Sequence, residues 1–192
     1  MSLGVKIGEV FTDYSQGALR ETAGKYDLAL SGEGFFAVRY VDKNGNESTK
    51  YTRDGNFRLT KDGHVTDVYG NQLRTESGVL QVPLDSEDIS IGVDGTVSVN
   101  NQVIDKVKVV DFENYDYIEK FGDNLYQTVA GATEKEAEAQ VLQGYIEQSN
   151  VNSVREMVNL ITITRAYEAG QKMIQSSDSI MDSAVNSVGR VS

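Results

Sequence analysis

The chain has 192 residues, a formal net charge of −11, no cysteine and a single histidine. These numbers exclude thiol catalysis, disulfide bonds and cysteine-ligated zinc, and so acidic a chain repels the phosphate backbone of nucleic acids. An apolar fraction of 39% is typical of a soluble globular protein, and no run approaches the roughly 20 apolar residues of a membrane span. We therefore expect neither a nucleic-acid partner nor membrane insertion.

Residues 1–25 are predicted to form an extended N-terminal connector. Residues 1–3 are candidates for an expression scar, and the start of the chain has neither the basic nor the apolar region of a cleavable secretion signal. The rest of the connector is polar, and its main apolar residues are Val5, Ile7, Val10 and Phe11.

Residues 26–121 predict a β-rich core domain. Short runs alternate apolar and polar residues, as antiparallel strands with one buried face do. Between the runs lie dipeptides that tolerate the positive φ of tight hairpin turns; they are Asn44-Gly45, Asp54-Gly55, Asp62-Gly63 and Asp94-Gly95. We expect an antiparallel, partly barrel-like β domain, with candidate return strands up to residue 150.

The composition changes after residue 121. Residues 122–152 are richer in alanine, glutamate and glutamine and less patterned, which predicts a loop or linker. Ser153 and Glu156 then fit a capping box, in which each side chain accepts a hydrogen bond from the other residue's backbone N–H. The sequence therefore predicts a C-terminal assembly helix over residues 153–189.

Apolar and small residues follow one another along this helix at alternating steps of three and four, the spacing of a coiled-coil seam. They are Leu160, Ile163, Tyr167, Gly170, Ile174, Ser177, Met181, Ala184 and Val188. A helix of this length extends about 50 Å, farther than a β domain of this size can cover. The predicted fold is therefore mainly β with a long C-terminal α-helix of coiled-coil character, and the seam is the predicted assembly interface. The alternative is an amphipathic helix that packs on the chain's own β domain.

The sequence predicts no catalytic, cofactor-binding or metal site. Residues 42–47 resemble the start of a calcium loop, but Glu47 stands where glycine is needed and Arg53 where a bidentate glutamate is needed. His64 could act as the base of a nucleophilic site, but the sequence has no G-x-S-x-G nucleophile elbow. Paired carboxylates carry no weight, because a chain with 29 acidic residues always offers pairs. We expect no enzyme and no cofactor.

Several motifs follow one another along the chain: Asp13-Tyr14-Ser15-Gln16-Gly17, residues 28–36, residues 51–57, Asp94-Gly95-Thr96-Val97, Gly122-Asp123-Asn124-Leu125-Tyr126, residues 144–152, residues 156–161 and Arg165-Ala166-Tyr167-Glu168. In this order they resemble the flagellar axial proteins that build the rod and hook. The chain is too short for the additional β domains of a hook protein and looks like a proximal or distal rod subunit. It departs from the family at its start, where we expect the N-terminal helix to be truncated.

The resemblance implies a structural subunit of the bacterial flagellar basal-body rod and not an enzyme. It implies export through the flagellar type III apparatus to the basal body, outside the cytoplasm. It also implies helical polymerisation through paired terminal helices, with the β domain outward. The implied partners are copies of the chain, other rod and hook subunits, and the export apparatus. Two alternatives remain, a β-rich adhesin or phage-tail-like binding module and a peptidoglycan-cleaving enzyme.

Overall fold

The structure, a computed structural model, describes residues 12–86 and 88–188. In chain order its elements are β1 (Leu19–Glu21), β2 (Leu28–Ser31), β3 (Phe35–Val41), β4 (Glu47–Thr52), β5 (Arg58–Leu59), β6 (Val65–Thr66), β7 (Gln72–Leu73), β8 (Ile89–Ile91), β9 (Thr96–Val99), β10 (Gln102–Lys106), β11 (Val109–Phe112), a 3-10 turn (Tyr115–Tyr117), β12 (Ile118–Phe121), β13 (Leu125–Thr128), β14 (Glu134–Glu136), β15 (Gln140–Gln143), β16 (Tyr145–Glu147) and α1 (Ser153–Val188). The apolar residues predicted within 1–11, the side chain of Val188 and residue 189 lie outside the described part of the chain.

The chain divides into two compact units between Asn150 and Val151. We call the part before this point the β unit. Its largest sheet has the order β12-β13-β4-β3-β7-β6-β5, with β11 beside β3 and β14 beside β11, and every pair is antiparallel. Smaller sheets pair β10-β9-β8, β15-β2 and β1-β16.

The largest sheet stays open, which corrects the partly barrel-like prediction. Within the described residues, β12 and β5 stand at its two ends and do not pair with each other. Closure into a barrel needs long tilted strands with a continuous stagger. Most strands here have only two to four residues. The mainly β, antiparallel class with one C-terminal helix is confirmed.

Strand β3 is buried on both faces and joins two cores. Phe36 and Val38 belong to an aliphatic cluster, whereas Phe35 and Ala37 belong to a mainly aromatic one. Because successive side chains of a strand point to opposite faces, the continuous apolar run of β3 supplies both clusters at once. All the buried apolar side chains found in the described chain lie between Leu28 and Val141, so the β unit builds its core without α1.

The stretch 122–152, predicted to be a loop or linker, contains strands β13 to β16. Leu125 pairs with Thr52 and Val141 with Leu30, and all four residues are buried. The sequence signal is weak because the strands are short and the residues of β14 are all exposed and charged. The predicted connector likewise forms a strand, β1.

The incoming segment, residues 13–17, and the outgoing segment, residues 147–150, lie side by side. Leu19 of β1 pairs with Glu147 of β16. The side-chain amide of Asn150 donates to the carbonyls of Asp13 at 3.2 Å and Ser15 at 3.1 Å. We call these two segments, together with Arg53, the junction. The chain therefore enters and leaves the β unit at one place.

Arg53 and Glu147 hold the junction together. The Arg53 guanidinium donates to Glu147 Oε2 at 3.0 Å and to the carbonyls of Gly32 and Gly34 at 2.9 and 2.8 Å. The other carboxylate oxygen of Glu147 accepts the Gly17 N–H at 2.8 Å. The side chains of Arg53 and Glu147 are only 18% and 10% exposed, so this ion pair is better shielded from solvent than a surface pair.

Two side chains of the incoming segment anchor it to the β unit. The ring of Tyr14 lies 5.0 Å from that of Tyr115 and 5.6 Å from that of Tyr126, centroid to centroid. The side-chain amide of Gln16 donates to the Leu30 carbonyl at 3.0 Å. The segment is thus fixed by aromatic contacts and by a hydrogen bond to a backbone carbonyl of β2.

Gly55 is required by a close backbone approach. Its carbonyl accepts the Leu28 N–H at 2.9 Å, and a Cβ on Gly55 would lie 1.6 Å from the Leu28 carbonyl oxygen. We expect Gly55→Ala to lower the free energy of unfolding, measured with urea, by about 3 kcal/mol or more. Gly45→Ala is the control: its φ of +82° is strained but nothing lies within 4 Å, so about 1 kcal/mol is expected. Equal losses would contradict the predicted clash.

Glu147→Gln tests the junction. The change leaves the partly buried Arg53 without its charged partner, so we expect unfolding free energy to fall by about 2 kcal/mol. Amide exchange at Gly17 should also accelerate. The control is Glu136→Gln, an exposed acid of β14, which should change stability by less than about 0.5 kcal/mol. If the two variants behave alike in urea and in exchange, the ion pair does not hold the junction.

Candidate assembly interface

Helix α1 begins with an asparagine cap. Asn152 Oδ1 accepts the Arg155 N–H at 3.1 Å, and the Asn152 carbonyl accepts the Glu156 N–H at 3.0 Å. The cap therefore lies one residue before the predicted one, and Ser153 is the first helical residue. Asparagine and serine are equally good caps. The predicted Ser153 and Glu156 box is one residue out of register because Asn152 already satisfies this turn.

All nine residues of the predicted seam lie in α1. The five large ones with described side chains are between 64% and 69% exposed: Leu160, Ile163, Tyr167, Ile174 and Met181. The three small ones, Gly170, Ser177 and Ala184, are exposed as well. For Val188 only the backbone, at the end of the helix, is described. The helix thus carries a long apolar face that is uncovered along its described length.

The seam consists of two unequal rows at heptad spacing. One row is large throughout: Leu160, Tyr167, Ile174, Met181 and Val188. The other becomes small after its first member: Ile163, Gly170, Ser177 and Ala184. Such rows drift by about 20° per heptad around a straight helix, so a second helix follows them only by winding around α1. Small residues let its backbone come close.

The first turns of α1 carry further apolar residues that the seam prediction missed. Val154, Met157, Val158 and Ile161 are between 53% and 69% exposed. At about 100° per residue they lie on the side of the helix opposite the seam, and we call them the back face. The sequence signal for this face was the two pairs of adjacent apolar residues, 157–158 and 160–161. Adjacent residues point to different sides of a helix, so such pairs indicate apolar residues on more than one side.

The described residues hold no group of three or more His, Asp or Glu side chains placed to bind a metal. Asp111, one of the buried carboxylates, accepts from the Tyr115 hydroxyl at 2.7 Å and the Phe112 N–H at 2.8 Å, and pairs with Lys135 at 2.8 Å. Burial raises the pKa of Asp111, but these donors outweigh it and leave the pKa below its usual value. This carboxylate therefore ties β11 to its neighbours.

His64 lies in the turn before β6, where its backbone pairs with Gln81.

Across residues 12–86 and 88–188, no helix has both the length and the apolar character needed to cross a membrane.

Two family models match the chain. The model described as "Flagellar hook protein FlgE/F/G D1 domain" matches residues 29–99, within the β unit. The model described as "Flagellar basal body rod FlgEFG protein C-terminal" matches residues 142–187. The second match includes β16, the junction residues 147–150 and the seam as far as Ala184.

Curated relatives match over nearly the whole length of the chain. A flagellar basal-body rod protein FlgG from Buchnera aphidicola subsp. Schizaphis graminum is 35% identical over 94% of this chain and 73% of its own length. A rod protein FlgF from Caulobacter vibrioides is 35% identical over 95% and 73%, and FlgG from Bacillus subtilis 31% over 97% and 74%. The chain belongs to the flagellar basal-body rod protein family, as a structural protein of the basal body and not an enzyme.

Proposed function

We propose that this chain polymerises helically, with the seam of α1 pairing with a second helix and the β unit facing outward. One observation carries the proposal: the seam side chains of α1 are uncovered while the β unit completes its core without them. Exposure of an apolar surface of this extent to water costs free energy, which is recovered when another surface covers it. The partners are copies of the chain and other rod and hook subunits, which reach the growing rod through the flagellar export apparatus.

The two rows of the seam support a helix as the covering surface. In coiled coils each large side chain enters a hole between four residues of the facing helix. The row of Gly170, Ser177 and Ala184 offers such holes, and the row of Tyr167, Ile174 and Met181 offers the knobs. We propose that the second helix comes from an N-terminal segment of the same subunit or from a neighbouring subunit. The residues that turn outward, Glu168, Lys172 and Asp178, would set the register between neighbouring subunits through charge.

The junction supports a pair of terminal helices. Asn150 holds residues 13 and 15 in place, so the segments that continue beyond the junction start from neighbouring points. We therefore propose that residues 26–121, with return strands up to 150, form the outward domain. Residues 153–189 form the assembly helix.

A helical polymer follows when the contacts between subunits do not close. Heterologous contacts join two different surfaces of the same chain and generate filaments unless the rotation closes a ring. The net charge of −11 keeps free subunits soluble before they assemble.

Ile174→Asp tests the seam. A charge in the middle of the seam cannot be buried without a partner, so we expect loss of rod assembly and of motility in cells that carry only this variant. The urea midpoint of the β unit should not change. The control is Ser176→Asp, which adds the same charge on the other side of α1 and should leave cells motile. Normal swimming of the Ile174→Asp strain would contradict the proposal.

Gly170→Leu tests the close approach of the second helix. Apart from the adjoining backbone of the helix itself, nothing lies within 4 Å of a Cβ at Gly170, and leucine favours helix by up to about 1 kcal/mol relative to glycine. We expect higher helicity by circular dichroism but fewer assembled rods by electron microscopy. Ala169→Leu adds similar bulk one residue away and outside the seam, so it should assemble normally. Assembly of the Gly170→Leu variant at the unsubstituted level would show that the small row is not a contact.

A further inference from the structure

We propose that the back face of α1 in one subunit packs against the turn Val68-Tyr69 of the β unit in a second copy. The inference rests on the proposed function, since it presumes that subunits polymerise, and it names a second contact besides the seam.

The back face needs a cover of its own. A coiled-coil partner covers the seam side of a helix and leaves the opposite side in contact with its surroundings. Val154, Met157, Val158 and Ile161 lie on that opposite side and are more than half exposed. Beyond Ile161 the same side becomes polar. The second contact is therefore confined to the first turns of α1.

The turn between β6 and β7 presents two large apolar side chains to the surroundings. Val68 is 50% exposed and Tyr69 is 63% exposed, whereas turns are usually rich in glycine, asparagine and aspartate. The buried Asp67 fixes this turn, because its Oδ1 accepts the N–H groups of Tyr69 and Asn71, each at 2.8 Å. We call Val68 and Tyr69 the apolar tip. A rigid apolar tip loses little conformational entropy when it binds.

The charges beside the apolar tip are mostly acidic. The Tyr69 hydroxyl donates to Asp123 Oδ2 at 3.2 Å. This hydrogen bond and the charge of Asp123 raise the pKa of Tyr69 most, and desolvation and then the charges of Asp54 and Asp67 raise it further. Arg58 lies on the other side of the turn, where its guanidinium binds the Val68 carbonyl. The hydroxyl edge of the tip is thus negative.

The charges that follow the back face have the opposite sign. Arg165 stands four residues after Ile161 on the same side of α1, and Lys172 seven residues later. Glu168 lies between them, so this stretch keeps a net positive charge. An apolar surface with a basic end meets an apolar tip with an acidic edge, and such complementarity fixes the orientation of a contact.

A second copy is the occupant that fits both surfaces. The back face and the apolar tip are two different surfaces of one chain, and their contact between copies is heterologous. Repetition of such a contact extends a filament, as the proposed function requires.

Cross-linking of the full chain tests this contact directly, because the chain has no cysteine of its own. Chains carrying Val68→Cys and chains carrying Ile161→Cys are mixed at equal concentration and oxidised with diamide. A disulfide forms only where the two Cα atoms come within about 7 Å, so we expect at least about fivefold more mixed dimer than with Asn44→Cys in place of Val68→Cys. Asn44 is an exposed residue in another turn of the β unit.

Charge reversal gives an independent readout. Arg165→Glu or Asp123→Lys alone should lower the yield of the Val68–Ile161 cross-link by about fivefold, and the two changes in partner chains should restore it. The inference is overturned if the mixed dimer is no more abundant than with the Asn44→Cys control. It is also overturned if a chain carrying both Val68→Cys and Ile161→Cys forms the disulfide only within itself. Chains with Ile163→Cys test the seam in parallel. If they cross-link while the Val68→Cys and Ile161→Cys chains do not, the result supports the proposed function and contradicts this second contact.

Discussion

The apolar face of α1 needs a cover, and this requirement is the constraint on which the proposed assembly depends. In proteins most of the stability of a helix comes from packing of its apolar face, and α1 has 36 residues with such a face. The large seam side chains of α1 are 64% to 69% exposed, and we propose that a second helix supplies their packing. The proposed polymer meets this requirement, since each added subunit contributes cover for another.

The β unit follows the opposite rule and is complete by itself. Strand β3 supplies two cores from one run of residues, and the hairpins around it close those cores without α1. Arg53 and Glu147 then fix the places where the chain enters and leaves. In the proposed polymer, the molecule combines a unit whose stability does not depend on assembly with a helix whose stability does. Substitutions in the two parts should be separable for this reason.

The sequence predicted the fold class because its strongest signals are local. These signals are the apolar run of β3, the Asn44-Gly45 turn and the three-four spacing in α1, and each depends on residues close in the chain. The open sheet and the strands β13 to β16 were harder, because a strand such as β14 is recognised only by its pairing with β11. The helix cap was placed one residue late because Asn152 and Ser153 are both suitable. The seam stays a prediction. The back face of α1 was overlooked because the heptad pattern describes only one side of a helix.

The adjacent chain ends of the β unit have a consequence for how this family can vary. A domain whose ends lie side by side can be enlarged, shortened or exchanged without altering the distance between the flanking segments. In the proposed polymer, where the β unit faces outward, evolution could widen or narrow the outer layer by changing the length of chain between Asp13 and Asn150. The paired helices would keep the same geometry throughout.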